Sequence, residues 1–252
     1  MLRIILNGCN GKMGQAITAC VNSREDCEIV AGVDKEPIML SRYPVFTDPH
    51  DITCEADVLI DFSHPSALKN VLSFCVSRKV PAVIATTGFS DEQIEEIKNT
   101  SNQIPVFFSF NMSLGVNLLV ELCKKAASVL GNDFDIEIVE AHHNQKIDAP
   151  SGTALMLANA INQVLNNEYI YKYDRHSQRK KRSKKEIGIH AVRGGTIVGE
   201  HQVIFAGRDE IITLSHSARS KEIFAAGAIS AALFLFNKPS GLYNMSDLVK
   251  ST

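Results

Sequence analysis

The chain has 252 residues, enough for one large or two modest domains. Its formal net charge of -2 provides no overall attraction to nucleic acid or to an acidic membrane surface. No apolar stretch approaches the roughly 20 residues of a membrane-spanning helix, and the first residues read directly as a strand, which leaves no room for a signal peptide. The six cysteines form no C-x-x-C pair, which favours reduced thiols over disulfides or a zinc site. We expect a cytoplasmic protein without metal, nucleic-acid or membrane partners.

The first predicted strand runs into a glycine-rich turn. Apolar residues 2–6 precede Gly8-Cys9-Asn10-Gly11-Lys12-Met13-Gly14, and residues 15–21 read as a helix. Glycines at such a junction let the backbone approach a pyrophosphate at the helix N-terminus. Asn10 stands where the commoner spacing has its second glycine. Because Asn tolerates a positive φ better than most residues, we expect this exchange to be mild.

A second predicted strand, over residues 28–33, ends at Asp34. A carboxylate 20 residues past Gly14 is placed to accept hydrogen bonds from the adenosine ribose hydroxyls. The next residue, Lys35, could instead pair with a 2′-phosphate. The alternative for Asp34 is an ordinary turn residue before Pro37.

Strands and helices continue to alternate through the first half of the chain. The pattern predicts strands over 58–62, 81–85 and 106–109, and helices from about 66 to 77 and from the Ser90 cap to about 99. This order is typical of a doubly wound parallel sheet, whose ligands bind at the carboxyl ends of the strands. Five strand ends carry turn or polar residues: Gly8 to Gly14, Asp34, Phe62 to His64, Thr86 to Gly88, and Phe110 to Met112. Each could be a plain turn, but together they favour a cofactor cleft.

After residue 116 the pattern changes to that of a second, α+β domain over about 113–217. The residues around Arg193 to Thr196 read as the turn between two paired strands. A closing helix, rich in Ala and aromatics, is expected to pack on the first domain. The basic run 175–185 reads as a solvated loop rather than a nucleic-acid patch, because the chain as a whole is not basic. The predicted elements cover residues 115–130, 134–140, 151–165, 186–192, 199–205, 211–216 and 221–236.

Candidate proton donors are concentrated between the 134–140 strand and the following helix. This segment reads Glu140-Ala-His-His-Asn-Gln-Lys-Ile-Asp-Ala-Pro-Ser-Gly-Thr-Ala154, with two histidines and a lysine ahead of a Ser-Gly-Thr turn. A helix N-terminus offers unsatisfied N–H groups that suit a carboxylate. A substrate that carries carboxylates and must be protonated would fit such an array. The alternative is a polar loop followed by an ordinary N-cap at Ser151 or Thr153.

The motif E-A-H-H-x-x-K-x-D-A-P-S-G-T-A resembles the signature of the 4-hydroxy-tetrahydrodipicolinate reductase (dihydrodipicolinate reductase) family of the diaminopimelate–lysine pathway. The resemblance extends over nearly the whole chain. Its further blocks are residues 8–14, 61–65, 85–89, 110–117, 193–195, 198–201, 215–220 and 241–243.

The resemblance implies an NADH- or NADPH-dependent reductase of a cyclic imine dicarboxylate. It implies a Rossmann-like dinucleotide-binding domain from residues 1–112 and 218–252, and a substrate-binding domain at 113–217 that builds a homotetramer. The implied catalytic residues are His142 and Lys146, and the implied substrate residues are His143, Ser151, Gly152 and Thr153. The implied cofactor residues are Gly8, Cys9, Asn10, Gly11, Lys12, Met13, Asp34, Lys35, Ala85, Thr86, Thr87, Ser109, Phe110, Asn111 and Met112. For the tetramer, we expect Val192, Ile197, Val203 and Ile204 to need cover from other subunits.

The sequence departs from the family pattern in four places. Asn10 replaces a frequent glycine, and Lys12 replaces an arginine, keeping the charge but losing the planar fork. Residues 175–182 lack the two glycines usual in that loop, and Lys221 occupies a basic position near the end of the second domain. The choice between NADH and NADPH stays open. Another two-domain amino-acid dehydrogenase is disfavoured by the two histidines and the lysine ahead of the Ser-Gly-Thr turn. A non-catalytic nucleotide-binding regulator is disfavoured because both His142 and Lys146 are present.

Overall fold

In the computed structural model, which describes residues 1–251, the chain divides into two compact units. Unit 1 consists of Met1–Leu114 and the segment that starts at Lys221, and unit 2 consists of Gly115–Ser220.

Helices and strands alternate along most of the chain. In chain order the elements are β1 (Leu2–Asn7), α1 (Lys12–Asn22), β2 (Cys27–Val33), β3 (Val45–Phe46), β4 (Val58–Asp61), α2 (Leu68–Arg78), β5 (Ala82–Ile84), α3 (Asp91–Thr100), β6 (Pro105–Phe108), α4 (Leu114–Leu130), β7 (Asp135–His142), α5 (Gly152–Val164), β8 (Ile170–Lys172), β9 (Glu186–Arg193), β10 (Gly199–Ala206), β11 (Ile211–Ala218), α6 (Glu222–Leu235), β12 (Gly241–Tyr243) and α7 (Met245–Ser251).

Unit 1 contains a parallel sheet in the order β12-β6-β5-β4-β1-β2-β3, with helices on both faces. One face packs against α1, α6 and α7, and the other against α2 and α3. Strands covered on both faces should be apolar throughout, which is why 58–60 reads as an unbroken apolar run. The order from β3 to β6 is that of the Rossmann fold, so the predicted doubly wound sheet is confirmed.

The closing helix α6 lies in unit 1, beside α1. Small side chains allow its backbone to come close to the chain after β6: a Cβ on Gly227 would lie 1.6 Å from the carbonyl oxygen of Met112. Six of the buried positions of α6 are alanines or aliphatics of the core of unit 1, and the helix contacts β4, β5 and β6. Packing at this distance excludes larger residues and explains the alanine-rich composition.

Unit 2 contains a mixed sheet in the order β11-β10-β7-β9-β8. The expectation that β9 and β10 pair with each other is wrong, because β7 lies between them, parallel to β9 and antiparallel to β10. Ile136 and Ile138 of β7 are almost fully buried, which fits the central position of this strand in the sheet. Alternation of apolar residues predicts strands but does not encode which strands are adjacent.

One face of the unit 2 sheet is covered by α4 and α5, and this determines which residues of β7 are buried. Residues i and i+2 of a strand share a face, so Ile136, Ile138, Glu140 and His142 all lie on the covered side. The opposite face exposes Val192 to 48%, while Ile204 is half-buried. Val203 is fully buried in its own chain and therefore needs no cover from another subunit, contrary to expectation.

The basic run forms a loop whose residues are mostly exposed, as expected, but two of its arginines are tied to the sheet. Arg182 bonds to Asp135 and Glu137 in β7, and Arg175 bonds to Glu137 and Glu186. These ion pairs hold the two ends of the segment to the sheet, while Lys180 and Lys181 between them are exposed. Within residues 1–251, no helix combines the length and the apolar character needed to cross a bilayer.

Candidate functional site

The glycine turn of unit 1 is built for close backbone approach. Gly8 has φ of +79°, and a Cβ there would lie 2.4 Å from the carbonyl oxygen of Phe62. A Cβ on Gly14 would lie 2.2 Å from the carbonyl oxygen of Gly8. Gly11 is the N-cap of α1, whose first N–H groups have no intrahelical acceptor. The turn therefore presents bare backbone at a helix N-terminus, which fits a pyrophosphate.

Asn10 is tolerated in this turn for a different reason from the one expected. Within residues 1–251, the non-glycine residues with positive φ do not include Asn10. Its side-chain amide instead donates to the carbonyl oxygens of Glu36 and Ile38, at 3.3 and 3.0 Å. Asn10 thus ties the glycine turn to the segment after β2, a contact that glycine could not make.

Asp34 lies at the end of β2 and also contacts the glycine turn. One carboxylate oxygen accepts from the N–H of Asn10 and the other from the N–H of Lys35, both at 2.8 Å. Asp34 and Lys35 line a cleft of 540 Å³ at the carboxyl ends of β1, β2 and β4, together with Gly8 and His64. This cleft brings the predicted ribose and phosphate residues of the first two strands together.

A buried carboxyl group, Asp61, organises the neighbouring strand ends. It accepts hydrogen bonds from Asn7, Ser63 and Thr86 at 2.6, 2.6 and 2.7 Å. Burial raises the pKa of Asp61, and the three donors only partly oppose this. The hydroxyl of Thr86 also accepts from the N–H of Ser63, so its side chain is engaged within the protein.

The other predicted cofactor residues include buried side chains, exposed side chains and a turn after β6. Cys9 and Met112 have side chains buried in the core of unit 1, and Ala85 is buried beside them, so only their backbones face the strand ends. Thr87 is exposed and Phe110 is 63% exposed. Ser109, Asn111 and Ser113 form a tight turn after β6, in which Ser109 Oγ donates to the carbonyl oxygen of Asn111.

In unit 2, Glu140 is fully buried and accepts four hydrogen bonds. Its Oε2 lies 2.6 Å from His142 Nδ1 and 2.8 Å from Arg193 Nη1. Its Oε1 accepts from Arg193 Nη2 at 2.8 Å and from the N–H of Ser151 at 3.0 Å. Burial by itself would raise the pKa of Glu140, but the hydrogen bonds from Arg193, His142 and Ser151 lower it overall. Glu140 is therefore an ionised acceptor.

The ionised Glu140 determines how His142 holds its protons. Nδ1 must carry a hydrogen to donate to the carboxylate, so Nε2 is the ring nitrogen left for chemistry. A Cβ on Gly199 would lie 3.1 Å from this Nε2, so glycine keeps space beside it. His142 is 9% exposed. This carboxylate–imidazole pair is the geometry of an oriented general acid or base.

Ser151 caps the N-terminus of α5. Its hydroxyl oxygen accepts from the N–H of Ala154 at 3.2 Å and lies 3.0 Å from Nε2 of His201. A Cβ on Gly152 would meet nothing within 4 Å, so there is open space at the first residue of the helix. Burial and the neighbouring His142 lower the pKa of His201 to about 4, which keeps this ring neutral at pH 7.

The loop between β7 and α5 carries the remaining predicted residues. Lys146 Nζ forms an ion pair with Asp148 at 2.8 Å, and His143 is half-buried. Arg193 Nη2 donates to the carbonyl oxygen of Asp148. The loop is thereby attached to β9, while Ile147 at its tip is 99% exposed.

Glu140, Arg193 and His201 were not predicted as functional residues, although each lies in a block of the family pattern. A signal was present for Glu140, because residues 140 and 142 must share a face of a strand. Arg193 and His201 could not be placed, because their positions depend on β7 lying between β9 and β10.

The chain matches two family models, described as "Dihydrodipicolinate reductase, N-terminus" over residues 2–112 and "Dihydrodipicolinate reductase, C-terminus" over residues 115–249. It is 54% identical over 250 residues to the 4-hydroxy-tetrahydrodipicolinate reductase of Caldanaerobacter subterraneus subsp. tengcongensis, covering 99% of both chains. It is 52% identical over 253 residues to the enzyme of the same name from Clostridium tetani, covering 100% of this chain and 98% of the other.

Among solved structures, the chain resembles a dipicolinate-bound dihydrodipicolinate reductase from Paenisporosarcina sp. The TM-score is 0.81 at 29% identity, and 97% of each chain is covered. A myo-inositol dehydrogenase from Corynebacterium glutamicum shares the fold alone, with a TM-score of 0.60 at 15% identity. The match covers 100% of this chain and 93% of the dehydrogenase. Family models over both parts of the chain and relatives above 50% identity together show that the chain belongs to the dihydrodipicolinate reductase family, a family of nicotinamide-dependent oxidoreductases.

Proposed function

We propose that this protein reduces 4-hydroxy-tetrahydrodipicolinate to tetrahydrodipicolinate in diaminopimelate and lysine biosynthesis. The hydroxyl group leaves the ring as water, and one hydride and one proton are added. A bound reduced nicotinamide supplies the hydride. The observation that carries the proposal is the Glu140–His142 pair beside the N-terminus of α5, because it combines an oriented proton donor with a carboxylate-binding helix end.

His142 is the proposed proton donor. Its Nδ1–H is fixed by Glu140, so a second proton held on Nε2 would face the substrate side of the ring. An imidazolium is an acid of suitable strength near neutral pH. Lys146, held by Asp148 in the absence of substrate, is the proposed second catalytic group and would exchange this partner for the substrate.

The substrate carboxylates are proposed to bind at the start of α5. The N–H groups at Gly152 and Thr153 belong to the first turn of the helix, where the dipole favours a negative charge. The hydroxyl of Ser151 and the ring of His143 add donors. The open space at Gly152 leaves room for the carboxylate to reach these groups.

We assign dinucleotide binding to residues 1–112 with 218–252, and substrate binding to 113–217. Gly8 to Met13 would hold the pyrophosphate, Asp34 the ribose, and the residues after β5 and β6 the nicotinamide end. We propose that both NADH and NADPH are used, because Asp34 can accept from a ribose diol while the adjacent Lys35 can offset a 2′-phosphate. The six free cysteines suit the reducing cytoplasm, where we place the protein.

We also propose a homotetramer assembled through the open face of the unit 2 sheet. Val192 is 48% exposed there and Ile204 is partly exposed, whereas the opposite face is covered by α4 and α5. Association would remove this apolar area from water.

The test is a spectrophotometric assay of NADH and NADPH oxidation with the cyclic imine substrate. His142→Gln and Lys146→Ala should mainly lose kcat, by about 10²–10⁴-fold, with NADH binding intact. His143→Ala and Thr153→Ala should instead raise KM, because they hold carboxylates in ground and transition states alike. Rates of all variants are compared per folded enzyme, between proteins that have the same molar mass and hence the same oligomeric state. Wild-type protein without activity on this substrate would overturn the proposed function, and near-wild-type kcat in His142→Gln would overturn the proton-donor role.

A further inference from the structure

Ser151 and His201 form a buried pair whose protons the proposed mechanism has not yet placed. Ser151 is 2% exposed and His201 is 4% exposed, and the two side chains lie 3.0 Å apart. Ser151 Oγ already accepts from the N–H of Ala154. His201 Nδ1 is buried and has no hydrogen-bond partner among residues 1–251.

A serine hydroxyl has one proton, and a neutral histidine ring has one N–H. In one arrangement the hydroxyl donates to His201 Nε2 and the ring proton lies on the unpartnered Nδ1. In the other, Nε2–H donates to Ser151 Oγ, and the hydroxyl proton needs a further acceptor. Counting protein partners among residues 1–251, the second arrangement leaves two groups unpaired, namely the hydroxyl proton and the Nδ1 lone pair, and the first leaves only one. The ligand-free protein therefore favours the Nδ1–H tautomer.

A carboxylate bound at the start of α5 reverses this preference. It accepts the Ser151 hydroxyl proton, and Nε2–H of His201 then donates to Ser151 Oγ. The Nδ1 lone pair is now the single unpaired group, and buried acceptors are left unpaired more readily than buried N–H groups. The bond from serine to carboxylate is charge-assisted and hence stronger than the bond it replaces.

We propose that His201 is a positioning residue that turns Ser151 into a donor to the substrate carboxylate by changing its own tautomer when substrate binds. The inference rests on the proposed substrate site at α5. One proton leaves Nδ1 and one arrives at Nε2 by exchange with solvent, so the ring is neutral before and after. His201 thus acts through Ser151 and does not touch the substrate.

The neighbouring strand offers a matched control. His216 of β11 pairs directly with His201 of β10, is partly buried and also has an Nδ1 without a hydrogen-bond partner in the described part of the chain. It has no hydrogen bond to Ser151. A role in packing alone would make the two histidines comparable, whereas the proposed role belongs to His201.

The experiment is nitrogen NMR of protein labelled at histidine, saturated with NADH, without and with pyridine-2,6-dicarboxylate as a substrate-like probe. The His201 signals are assigned by their loss in His201→Gln. The expected result is a change of His201 from the Nδ1–H to the Nε2–H tautomer on addition of the dicarboxylate, with the His216 tautomer unchanged.

A binding measurement complements the spectra. His201→Phe and Ser151→Ala should each weaken dicarboxylate binding about 10-fold to 100-fold, the range for a hydrogen bond to a charged group. The double variant should be no weaker than either single variant, and His216→Phe should bind as tightly as wild type.

The possible failures are distinguishable. A protein that does not bind the dicarboxylate at all would overturn the proposed substrate site, and the inference with it. Binding with an unchanged His201 tautomer, or additive losses in the double variant, would overturn the role of His201 alone. The spectra use wild-type protein, so poor folding of His201→Phe does not prevent a decision.

Discussion

Replacing Glu140 with Gln tests whether a buried carboxylate orients the proton donor. Glu140 accepts four hydrogen bonds, from His142 at 2.6 Å, from Arg193 twice at 2.8 Å, and from the Ser151 N–H at 3.0 Å. Gln has nearly the same shape but only one oxygen, so its NH₂ group must face two donors. If this group faces His142, Nδ1 becomes an acceptor and the ring proton is confined to Nε2 of a neutral ring. A neutral imidazole is a much weaker acid than the imidazolium.

Two effects of different size follow. Losing two hydrogen bonds to a charged group, at about 1.5–3 kcal/mol each, gives a loss of about 3–6 kcal/mol, close to the cost of leaving one partner of a buried ion pair alone. A domain with about 5–15 kcal/mol of stability can remain folded after such a loss, at a lower Tm. Loss of an oriented general acid should reduce kcat about 10²–10⁴-fold.

Glu137 provides the matched control on the same strand. It also accepts from a histidine and from arginines, namely His190 at 2.7 Å, Arg182 at 3.0 Å and Arg175 at 3.2 Å, but it lies on the other face of the sheet. Glu137→Gln should lower the Tm and leave kcat per folded enzyme near wild type, compared at equal molar mass because this face is proposed for assembly. Steady-state kinetics decide: a Glu140→Gln enzyme with near-wild-type kcat, or an equal loss in both variants, would refute the reasoning.

Three further results are expected. In fluorescence titrations Asp34→Ala should weaken NADH more than NADPH, and equal losses would contradict ribose recognition, since release of the Asn10 N–H affects both cofactors alike. In light scattering at micromolar concentration the wild type should be tetrameric and Val192→Asp smaller, with Val129→Asp, an exposed valine of α4, as control; a monomeric wild type would contradict the tetramer. The third result concerns pH: the pKa of His201 is lowered to about 4 in the folded protein, so between pH 6.5 and pH 4 this histidine takes up a proton in the unfolded state but not in the folded state. The free energy of unfolding should therefore fall by up to about 3 kcal/mol as the pH is lowered through this range. Denaturation of His201→Gln should show a shallower fall, and an unchanged pH profile would contradict this account.

The Rossmann-like sheet was predictable because its signals are local. Each strand is a short apolar run, each glycine of the first turn has a steric cause, and Ser90 caps α3 in a capping box with Gln93. The short strands β3, β8 and β12 were missed because two or three residues carry no periodicity and, unlike β5, they do not lie within a longer apolar run. The reason given for Asn10 was wrong because it considered backbone conformation alone, whereas the residue is selected by two carbonyl partners far along the chain.

The interior of the candidate site was less predictable because it depends on strand order. The loop residues His143 and Lys146 are contiguous with the motif, so they could be named without knowing the fold. Arg193 and His201 reach Glu140 and Ser151 only because β7 separates β9 from β10. If residues 193–199 formed a simple hairpin, Arg193 and His201 would lie on neighbouring strands. Glu140 would then have no positively charged partner.

The register of the unit 2 sheet explains why the side chains around Glu140 are positioned accurately. His142 of β7 pairs with Arg193 of β9, and Glu140 pairs with His201 of β10, so the proton-holding side chains occupy adjacent rungs of three hydrogen-bonded strands. A shift of one residue would turn both Glu140 and His142 to the opposite face, so the pairing that buries Ile136 and Ile138 also orients the proposed acid. Lys146, in contrast, lies on a loop and is held by a single exposed carboxylate. In the proposed mechanism the sheet thus carries the groups whose angle must stay constant, and the loop carries the group that would exchange one partner for another when substrate arrives.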